Sequence, residues 1–471
     1  MHRPGIKTCM LIALSSGPLS HALAPKPRNP FDDQFYAPDD IITRDVAIIG
    51  GGSSGTYSAI NLRALGKSVV VVEKTPRMGG PTSTYVDPQT GVPVNYGVQA
   101  LYNISVATDY LDLLGVPMEP FHVLDPVTRV YADFHAGKNV SVSPSPGFAG
   151  YAEQLGKYPF LEYTWDLPKP VPEDLLLPFR EFLAKYNLDD VAYSVYFSGP
   201  GYANILDQLT VNVFKLIDDS YLKSNSGSGM LPVSGNNGEL YDKALDILGS
   251  DVLLSTTVVD TKRSYNNSGI RLVVQSGSKW KLIKASKLLI TIPPLLSNLA
   301  PFDLDANERN LFSQWNYTNY YIMLVNNTGL PDGIQFANAV PSSADSFNIP
   351  NFPGPYQITS TRVPGLFYVW YASPYDATEA EVKADVVAII NRLRPTFGNS
   401  TIAGAPNFVE FRDRIPFKLV VSAEAIATGF YDKLGALQGR RNTWYTGAAF
   451  ISHDASIIWH YTRSLLPGIV A

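Results

Sequence analysis

The chain has 471 residues, 45% hydrophobic and 12% aromatic, so it is long enough for a large core and about two domains. Its formal net charge is −5 and it has no lysine- or arginine-rich run, which argues against a nucleic-acid partner. No apolar stretch approaches the ~18–20 residues that a membrane-spanning helix requires.

The first two dozen residues have the layout of a secretory signal peptide. A weakly basic start precedes the short apolar run 10–14, and small residues follow, so we expect cleavage after Ala22. The signal segment 1–22 would send the protein into the secretory pathway, for secretion or for a vesicle or vacuole lumen. Because the apolar run is short, a disordered N-terminus is the alternative. Cys9 is the only cysteine and lies in this segment, so the mature chain would have no disulfide and no thiolate metal site.

Asn-x-Ser/Thr sequons are more frequent than the composition explains, which gives mild support to passage through the secretory pathway. The predicted glycosylation sites are Asn103, Asn139, Asn266, Asn316, Asn326 and Asn399. Asn103 is the weakest candidate, because it follows closely on the segment that we assign below to nucleotide binding.

A βαβ unit is predicted near the N-terminus. Residues 45–49 form a short apolar run that is typical of a buried parallel strand. Residues 54–65 have helical character, and the apolar run 69–72 predicts a second strand that ends at Glu73. The order strand, helix, strand is that of a complete βαβ unit.

Glycines occupy the turn between the first strand and the helix, at G-x-G-x-x-G spacing. Gly50 permits the tight turn, Gly52 lets the backbone approach a pyrophosphate, and Gly55 lets the helix pack close to the sheet. The helix that starts at Ser54 directs free N–H groups at the phosphates. Glu73 stands where a carboxylate accepts hydrogen bonds from adenosine ribose hydroxyls. This pattern predicts a dinucleotide site, and the alternative is a merely structural glycine turn.

The next segment distinguishes FAD from NAD. A second glycine pair, Gly79-Gly80, lets another loop approach the same pyrophosphate, and Arg77 can pair with a phosphate oxygen. This R-x-G-G element resembles that of the flavin amine oxidase superfamily, which implies FAD, with Lys74 among the contacts. The family often has arginine after the glycine pair. This chain has Pro81 there, so one polar flavin contact lacks its usual residue.

Further segments resemble the family in the expected order. The resemblance implies that Gly97 and Val98 pass beside the flavin ring. It also implies that Val258, in a strand predicted over 252–259, meets the adenine. The apolar segment 288–292 resembles the family strand that re-enters the FAD domain.

The C-terminal segment resembles the end of the flavin site. Gly447 and Ala448 follow a predicted strand, and Ala455 lies in the first turn of the closing helix predicted over 454–465. In the family this helix directs its N-terminus at the flavin's pyrimidine edge, where negative charge develops. Many relatives carry Glu or Asp after the glycine. With Ala448 that side-chain contact is lost, while the backbone amide remains.

The resemblance implies an α/β fold: a Rossmann-like FAD-binding domain of the glutathione reductase type with an interleaved α+β substrate domain, amine oxidase-like. We assign residues 41–100, 245–300 and 430–471 to the FAD-binding domain. Residues 101–244 and 301–429 form the substrate domain, which includes an amphipathic helix over 174–186. Its aromatic residues could hold a flat, apolar substrate, and plain core packing is the alternative for each. They are Tyr193, Tyr196, Phe197, Tyr202, Trp315, Tyr317, Tyr320, Tyr321, Phe367, Tyr368, Trp370 and Tyr371.

Charged candidates for catalysis are few. Lys418 lies on a segment that the family places near the active face, where a buried lysine could hold a water at flavin N5 or counter a substrate anion. An exposed lysine is the alternative. His453 precedes the last helix and could act as a base or only as a cap-region residue. His122 and His135 stand apart from other ligand-type residues, so we expect no metal site.

Two subgroups of the family share particular segments with this chain. Residues 175–184 and 437–443 resemble the bacterial FAD-dependent polyunsaturated fatty acid isomerase. The secretory start, the Thr446-Gly447-Ala448 variant and the turn at 452–454 resemble the fungal beta-cyclopiazonate dehydrogenase group.

The second resemblance implies an FAD-dependent oxidoreductase that takes hydride from an activated C–H of an apolar small molecule. Its electrons would pass to oxygen or another acceptor, in dehydrogenation or oxidative ring closure of a fungal secondary metabolite. A redox-neutral double-bond isomerase of unsaturated fatty acids is the alternative. The prenyl-binding GDP dissociation inhibitors, which share the fold without using FAD, are the non-enzyme alternative.

Overall fold

The computed structural model describes residues 28–121, 127–142, 147–263, 269–341, 347–398 and 404–471. The predicted signal segment 1–22 with Cys9, together with His122, Asn266 and Asn399, lies outside the described residues. Within those ranges, no helix combines the length and apolarity that crossing a membrane requires.

Most strands belong to two large sheets. In chain order the strands are β1 (Ile41–Ile49), β2 (Val69–Val72), β3 (Thr84–Val86), β4 (Pro93–Asn95), β5 (Leu101–Tyr102), β6 (Met118–Pro120), β7 (Thr128–Asp133), β8 (Lys138–Asn139), β9 (Gly229–Pro232), β10 (Val252–Leu253), β11 (Thr256–Arg263), β12 (Ile270–Ser276), β13 (Lys279–Ile290), β14 (Asn316–Asn326), β15 (Ile334–Asn338), β16 (Gly354–Ser360), β17 (Phe367–Ser373), β18 (Asn407–Val420) and β19 (Thr443–Tyr445).

The α-helices alternate with strands in the first part of the chain and cluster between residues 149 and 248. They are α1 (Ser53–Ala64), α2 (Ser105–Leu114), α3 (Ala149–Leu155), α4 (Glu173–Leu176), α5 (Phe179–Tyr186), α6 (Ala192–Ser198), α7 (Thr210–Phe214), α8 (Asp219–Lys223), α9 (Glu239–Leu248), α10 (Ala306–Phe312), α11 (Glu379–Phe397), α12 (Ala423–Ala427), α13 (Phe430–Gly435) and α14 (Ala455–Val470).

The first sheet has the strand order β10-β2-β1-β13-β12-β11, and β19 pairs with β13. Its strands β10, β2, β1, β13 and β19 are parallel, so their carboxyl ends meet at one edge. At that edge Ile49 lies opposite Val72 on β2 and Ile290 on β13. Every residue of β2 is buried, as expected for a parallel strand covered on both faces.

Helices α1, α2, α9 and α14 cover one face of this sheet. The rings of Tyr57, Tyr110 and Trp459, from α1, α2 and α14, meet in edge-to-face and stacked contacts. They join buried side chains of β1 and β2, such as Ile48 and Val71, in one apolar cluster. This packing fixes the N-termini of α1 and α14 close to each other.

The second sheet has the order β18-β14-β17-β16-β15-β7-β8 and is antiparallel except for the pair β15 and β7. The long helix α11 covers one of its faces through an apolar cluster that includes Val386 and Ile390. Two smaller sheets, β3-β4 and β5-β9-β6, connect the large ones. The mixed α/β architecture expected from the sequence is confirmed, whereas the exact division into domains stays a prediction.

Two predicted elements differ from the structure. The single helix predicted over 174–186 was wrong, because Leu177 is extended before Pro178 and the helix is split into α4 and α5. The single strand predicted over 252–259 is also two strands, β10 and β11. Ser255 separates them with a left-handed backbone at φ +48°.

The remaining sequons differ in exposure. Asn103, Asn139 and Asn316 are exposed, and Asn326 is half-buried. Their glycosylation stays a prediction.

Candidate functional site

The glycine turn after β1 closes around backbone atoms rather than side chains. Gly50 has φ +104°, a left-handed value that favours glycine, and its N–H donates to the carbonyl of Val72. A Cβ on Gly55 would stand 1.9 Å from the carbonyl oxygen of Gly50. Gly52 is the N-cap of α1. The turn therefore needs glycine for close packing, as the sequence predicted, and it leaves the first N–H groups of α1 for a ligand.

Glu73 joins this turn to the end of β2. One carboxylate oxygen, Oε2, accepts the N–H of Gly51 at 2.7 Å, and Oε1 accepts the N–H of Thr75 at 2.8 Å. The side chain is buried. Oε1 also accepts the hydroxyl of Thr75 at 2.7 Å. Since each carboxylate oxygen has two acceptor positions, the capacity that remains for a ribose hydroxyl lies on Oε2.

A second loop approaches the turn through the predicted glycine pair. The N–H of Gly79 donates to the carbonyl of Gly51 at 2.8 Å. Gly80 has φ +51°, and a Cβ on it would stand 3.1 Å from the Cα of Gly52. The two loops thus form a cradle without side chains, which fits the pyrophosphate of a dinucleotide.

Arg77 organises this second loop. Its guanidinium donates to the carbonyls of Gly80 and Thr82 and to Oγ of Ser83. The donors of Arg77 are therefore engaged by its own loop, and a direct phosphate contact stays a prediction. Lys74, also predicted as a contact, is exposed.

The segment after β4 lies beside the same loop. A Cβ on Gly97 would stand 2.2 Å from the carbonyl oxygen of Pro81, so the backbones are in close contact. The carbonyl of Val98 accepts the side-chain amide of Asn237 at 2.7 Å. Val258, predicted to meet the adenine, is half-buried on β11, and that role stays a prediction.

The C-terminal turn closes the site from the other side. Gly447 has φ +112°, and a Cβ on it would stand 3.6 Å from Oγ of Ser54 on α1. Ala448 follows this glycine, and Ala455 begins α14. Asp454 caps α14 by accepting the N–H groups of Ser456 and Ile457. The glycine turn, the loop with the glycine pair and the C-terminal turn therefore lie next to one another, and we call the space that they border the cofactor cleft.

Lys418 and His453, the predicted catalytic residues, are brought together. The backbone N–H of Lys418 donates to Nε2 of His453 at 3.1 Å. Lys418 has φ +52° and is 3% exposed, so the prediction of a buried lysine holds. Its Nζ lies 5.4 Å from the ring centre of Tyr202, and it makes no hydrogen bond to any residue that the structure describes.

His453 is held in the neutral form. Burial, and next the charge of Lys418, hold the pKa of His453 well below its usual value. Since Nε2 accepts a hydrogen bond, the ring proton belongs on Nδ1. Nε2 is thus occupied by the backbone of Lys418, which favours a role in positioning that segment over a role as base. The cap of α14 is Asp454 rather than His453.

Two further buried charges lie in the connection between α7 and α8. Burial lowers the pKa of Lys215 to about 7 and that of Lys418 to about 7. Burial raises the pKa of Asp218 to about 7 and that of Asp454 to about 6. The carboxylate of Asp218 acts on both lysines, and that of Asp454 acts on Lys418. We call these four residues the buried charge cluster.

A small cavity borders the buried charge cluster. Its volume is about 20 Å³, which is enough for a single water molecule or one polar group of a ligand. Its lining includes Lys418, Lys215, Trp165, Tyr202, Ala448 and His453. The cavity therefore connects the C-terminal turn of the cofactor cleft to the two buried amines.

Sequence reasoning missed Lys215 and Asp218. Lys215 lies within the largely apolar run 209–217, in which most side chains are fully buried, and Asp218 follows that run directly. A lysine and an aspartate three residues apart within such a run were the available signal, since unpaired buried charges are rare. Only the folded structure shows that Lys215 lines the same cavity as Lys418 and that the carboxylate of Asp218 acts on Lys418.

The aromatic candidates on β14 and β17 fall on two sides of the second sheet. Tyr321, Phe367 and Tyr371 belong to the apolar cluster under α11, so they are core residues. Tyr320 and Tyr368 alternate with them along β14 and β17 and face the opposite side of the sheet. On that side the ring of Tyr320 stacks on Phe417, the neighbour of Lys418. The strand period of two separates the two groups.

No group of three or more His, Cys, Asp or Glu side chains suited to a metal ion occurs among residues 28–471 where the structure describes them.

The fold and the glycine cradle define a dinucleotide-binding protein. A family model described as an NAD(P)-binding Rossmann-like domain matches residues 48–114. Among solved structures, a CLA-producing fatty acid isomerase from P. acnes is similar with a TM-score of 0.72 at 19% identity, covering 91% of this chain and 99% of that one. Putrescine oxidase is similar with a TM-score of 0.63 at 16% identity, covering 92% and 100%. These likenesses confirm the amine oxidase-like fold.

Sequence relatives are closer. The chain is 42% identical to the FAD-dependent oxidoreductase pigF of Monascus ruber, over 98% of both chains. It is 35% identical to beta-cyclopiazonate dehydrogenase of Aspergillus oryzae, over 91% of this chain and 93% of that one. The protein belongs to this family of fungal FAD-dependent oxidoreductases.

Membership confirms three expectations from the sequence: FAD is the cofactor, the protein is an oxidoreductase, and the amine oxidase-like superfamily is its larger group. The cradle of Gly52 and Gly80, the acceptor Glu73 and the N-terminus of α1 fit FAD. Between an enzyme and a prenyl-binding protein, the enzyme is confirmed.

Proposed function

We propose that this enzyme oxidises an activated C–H bond of an apolar small molecule, as a dehydrogenation or oxidative ring closure in the tailoring of a fungal secondary metabolite. The observation that carries this proposal is the buried amine of Lys418 beside a one-water cavity at the C-terminal turn of the cofactor cleft. The full-length similarity to beta-cyclopiazonate dehydrogenase supports the same chemistry.

Bound FAD supplies the hydride acceptor in this class of reaction. The chain's own contribution starts with Lys418, whose pKa of about 7 leaves a large neutral fraction at neutral pH. A neutral amine can accept the proton that leaves a substrate O–H or N–H group when the neighbouring C–H is oxidised. Oxygen or another acceptor then takes the electrons from the enzyme.

His453 positions the proton acceptor. Its Nε2 accepts a hydrogen bond from the backbone N–H of Lys418. Lys418 has a left-handed φ, which is uncommon for residues other than glycine. Because that conformation is unfavourable for lysine, a local partner is needed to keep it. Phe417, the neighbour of Lys418, packs on the rings of both Tyr320 and His453.

The surroundings of Lys418 favour an apolar, flat substrate. Tyr202 lies under the amine, and Tyr320 and Tyr368 face the same side of the second sheet. Aromatic rings bind flat apolar molecules and exclude water from the reacting atoms.

The test begins with deletion of the gene in the producing fungus and a comparison of metabolites. The compound that accumulates is then mixed with the purified enzyme without oxygen. We expect bleaching of the flavin band that persists until air is admitted, with a dehydrogenated or cyclised product. Lys418→Met should slow the bleaching, with Lys243→Met, an exposed lysine, as the control.

A redox-neutral isomerase of unsaturated fatty acids is the second candidate. It is favoured by the structural similarity to the fatty acid isomerase, which concerns the fold alone. Complete turnover without oxygen or any other acceptor would contradict the dehydrogenase and support the isomerase. We also propose a location in the secretory pathway, on the basis of the sequence pattern at the N-terminus and the exposed sequons.

A further inference from the structure

Two arginines from different parts of the fold meet at one hydroxyl group. Nη2 of Arg77, in the loop after β2, lies 3.1 Å from Oγ of Ser83. Nη2 of Arg414, on β18 of the second sheet, lies 3.2 Å from the same oxygen. Arg414 also donates to the carbonyl of Pro81 at 2.8 Å. The second sheet thus sends a guanidinium to the loop that carries the glycine pair.

Two like charges lie close together here, and the nearest carboxylates, Asp413 beside Arg414 and Asp242 beside Arg77, act on them only from a distance. Within the described part of the chain, neither Arg77 nor Arg414 forms an ion pair with a carboxylate. The neighbouring Arg412, by contrast, pairs with Glu410 at 3.1 Å. Two guanidinium groups that share an acceptor repel each other, so an anion bound between them would stabilise the arrangement.

The side chain of Arg414 also has one N–H group that no described residue accepts. Its Nε is buried and has no hydrogen-bond partner among the described residues. Burial, followed by the charge of Arg77, lowers the pKa of Arg414 to about 10. A buried N–H without a partner is unfavourable, which again indicates a missing acceptor.

The position of the pair identifies the acceptor. Pro81 follows Gly80 directly and Ser83 comes three residues after it. Gly80 faces Gly52 across the cradle that fits the pyrophosphate. The anionic part of FAD is its pyrophosphate, and guanidinium groups bind phosphate oxygens with charge-assisted hydrogen bonds. At position 81 itself the chain has proline and therefore no donor.

We propose that Arg414 is an FAD-binding residue, which neutralises the cofactor's phosphates from the second sheet and supplies the cation that position 81 lacks. FAD binding then depends on β18 as well as on the Rossmann-like unit. This proposal is independent of the substrate and of the direction of the reaction.

The test compares Arg414→Gln with Arg412→Gln. Glutamine at 414 keeps a donor for the Pro81 carbonyl and removes the charge, so the loop contact and the phosphate contact are separated. Apoprotein of each variant is titrated with FAD and followed by flavin fluorescence. We expect a Kd for FAD that is roughly ten- to hundredfold higher for Arg414→Gln. Arg412→Gln, two residues away on the same strand, should bind FAD as the wild type does.

Salt dependence and a rescue variant complete the test. The wild-type Kd should rise more steeply with NaCl than that of Arg414→Gln, since one phosphate-facing charge is removed. The double variant Pro81→Arg with Arg414→Gln should recover most of the lost affinity, because residue 81 lies in contact with Arg414. The melting temperatures of the apoproteins should agree, which shows that the fold is intact.

Three results would overturn the proposal. The first is an unchanged FAD affinity in Arg414→Gln. The second is an equal loss in Arg412→Gln, and the third is a loss that follows a lower melting temperature of the apoprotein. A double variant that binds FAD no more tightly than Arg414→Gln would count against the place assigned beside Pro81.

Discussion

Lys418 combines a buried amine with a left-handed backbone, and each feature is unfavourable for lysine. Buried charges without a close partner lower the stability of a fold. The residue is therefore retained at a cost in folding free energy, which is the pattern expected of a functional group. Lys215 repeats the burial but donates to the carbonyl of Leu161 at 2.6 Å, so it has a structural partner that Lys418 lacks.

A pH dependence of stability follows from the two buried lysines. Their pKa of about 7 in the fold lies below the usual 10.5, so between pH 7.5 and 9.5 the unfolded chain binds more protons than the fold. Stability should therefore rise with pH in this window. In Lys418→Met the rise should be smaller, by up to about 1 kcal/mol per pH unit. Thermal or urea unfolding of the FAD-loaded protein at pH 7.5, 8.5 and 9.5 measures it.

The titratable groups around Lys418 decide the pH range, 7.5 to 9.5, in which the effect of its amine is measured. Asp218 and Asp454, with pKa values of about 7 and about 6, are mostly ionised above pH 7.5, and His453 stays neutral. The exposed Lys243→Met is the control and should leave the slope unchanged. If stability rises equally with pH in the wild type and in Lys418→Met, Lys418 binds its proton equally in the folded and the unfolded chain. That result would contradict the lowered pKa of Lys418.

At the scale of elements, a buried ion network joins β11, α10 and β19. Arg263 has a fully buried side chain and pairs with Glu308 at 2.8 Å and with Asp303 at 2.8 Å. Glu308 also accepts the hydroxyl of Tyr445 at 2.5 Å. The network fixes β19, and β19 leads directly into the turn at Gly447. The network therefore supports the position of the turn at Gly447 through β19.

Removing one charge of this network should be strongly destabilising. In Glu308→Gln the guanidinium of Arg263 stays buried with incomplete compensation, and we expect a loss of about 3–5 kcal/mol in the free energy of unfolding. Asp207→Asn is the control, because Asp207 and Arg180 form an exposed pair with side chains 60% and 40% accessible. That change should stay within about 1 kcal/mol. Urea unfolding curves of both variants measure these changes in the free energy of unfolding. A similar loss in Glu308→Gln and Asp207→Asn would show that burial does not determine the cost of removing a charge.

At the scale of the whole molecule, the cofactor cleft is assembled from segments far apart in the chain. The glycine turn comes from the N-terminal unit, the closing turn from the C-terminus, and Arg414 from the second sheet. Such a site forms only when both sheets are in place. FAD should therefore stabilise the whole fold and not the Rossmann-like unit alone.

Passage through the secretory pathway predicts modification of the exposed sequons. When the protein is expressed in a filamentous fungus, we expect N-glycans at Asn103, Asn139 and Asn316, which are exposed. Treatment with an N-glycosidase should lower the apparent mass, and replacing these three asparagines by glutamine should abolish most of the shift. Protein recovered from the cytosol without any glycan would contradict the assigned route.

The sequence alone determined the nucleotide-binding unit. Local rules were sufficient there, because a glycine turn, a helix start and a terminal acid such as Glu73 lie within about 25 residues and constrain one another. The strand-to-helix order gave the α/β class for the same reason. Where local propensity met a conflicting residue, as at Pro178 or Ser255, the pattern predicted one element and the chain forms two.

The tertiary structure alone decided what surrounds the cleft. Lys215, Asp218 and Arg414 reach Lys418 and the glycine pair from separate elements, and no spacing in the chain encodes such contacts. Periodicity also left open which aromatic residues are core; the position of α11 assigned Tyr321 and Phe367 to the core and left Tyr320 on the other face. The sequence thus determined the cofactor, because its motif is local. The chemistry beside it depends on non-local packing, which only the folded chain specifies.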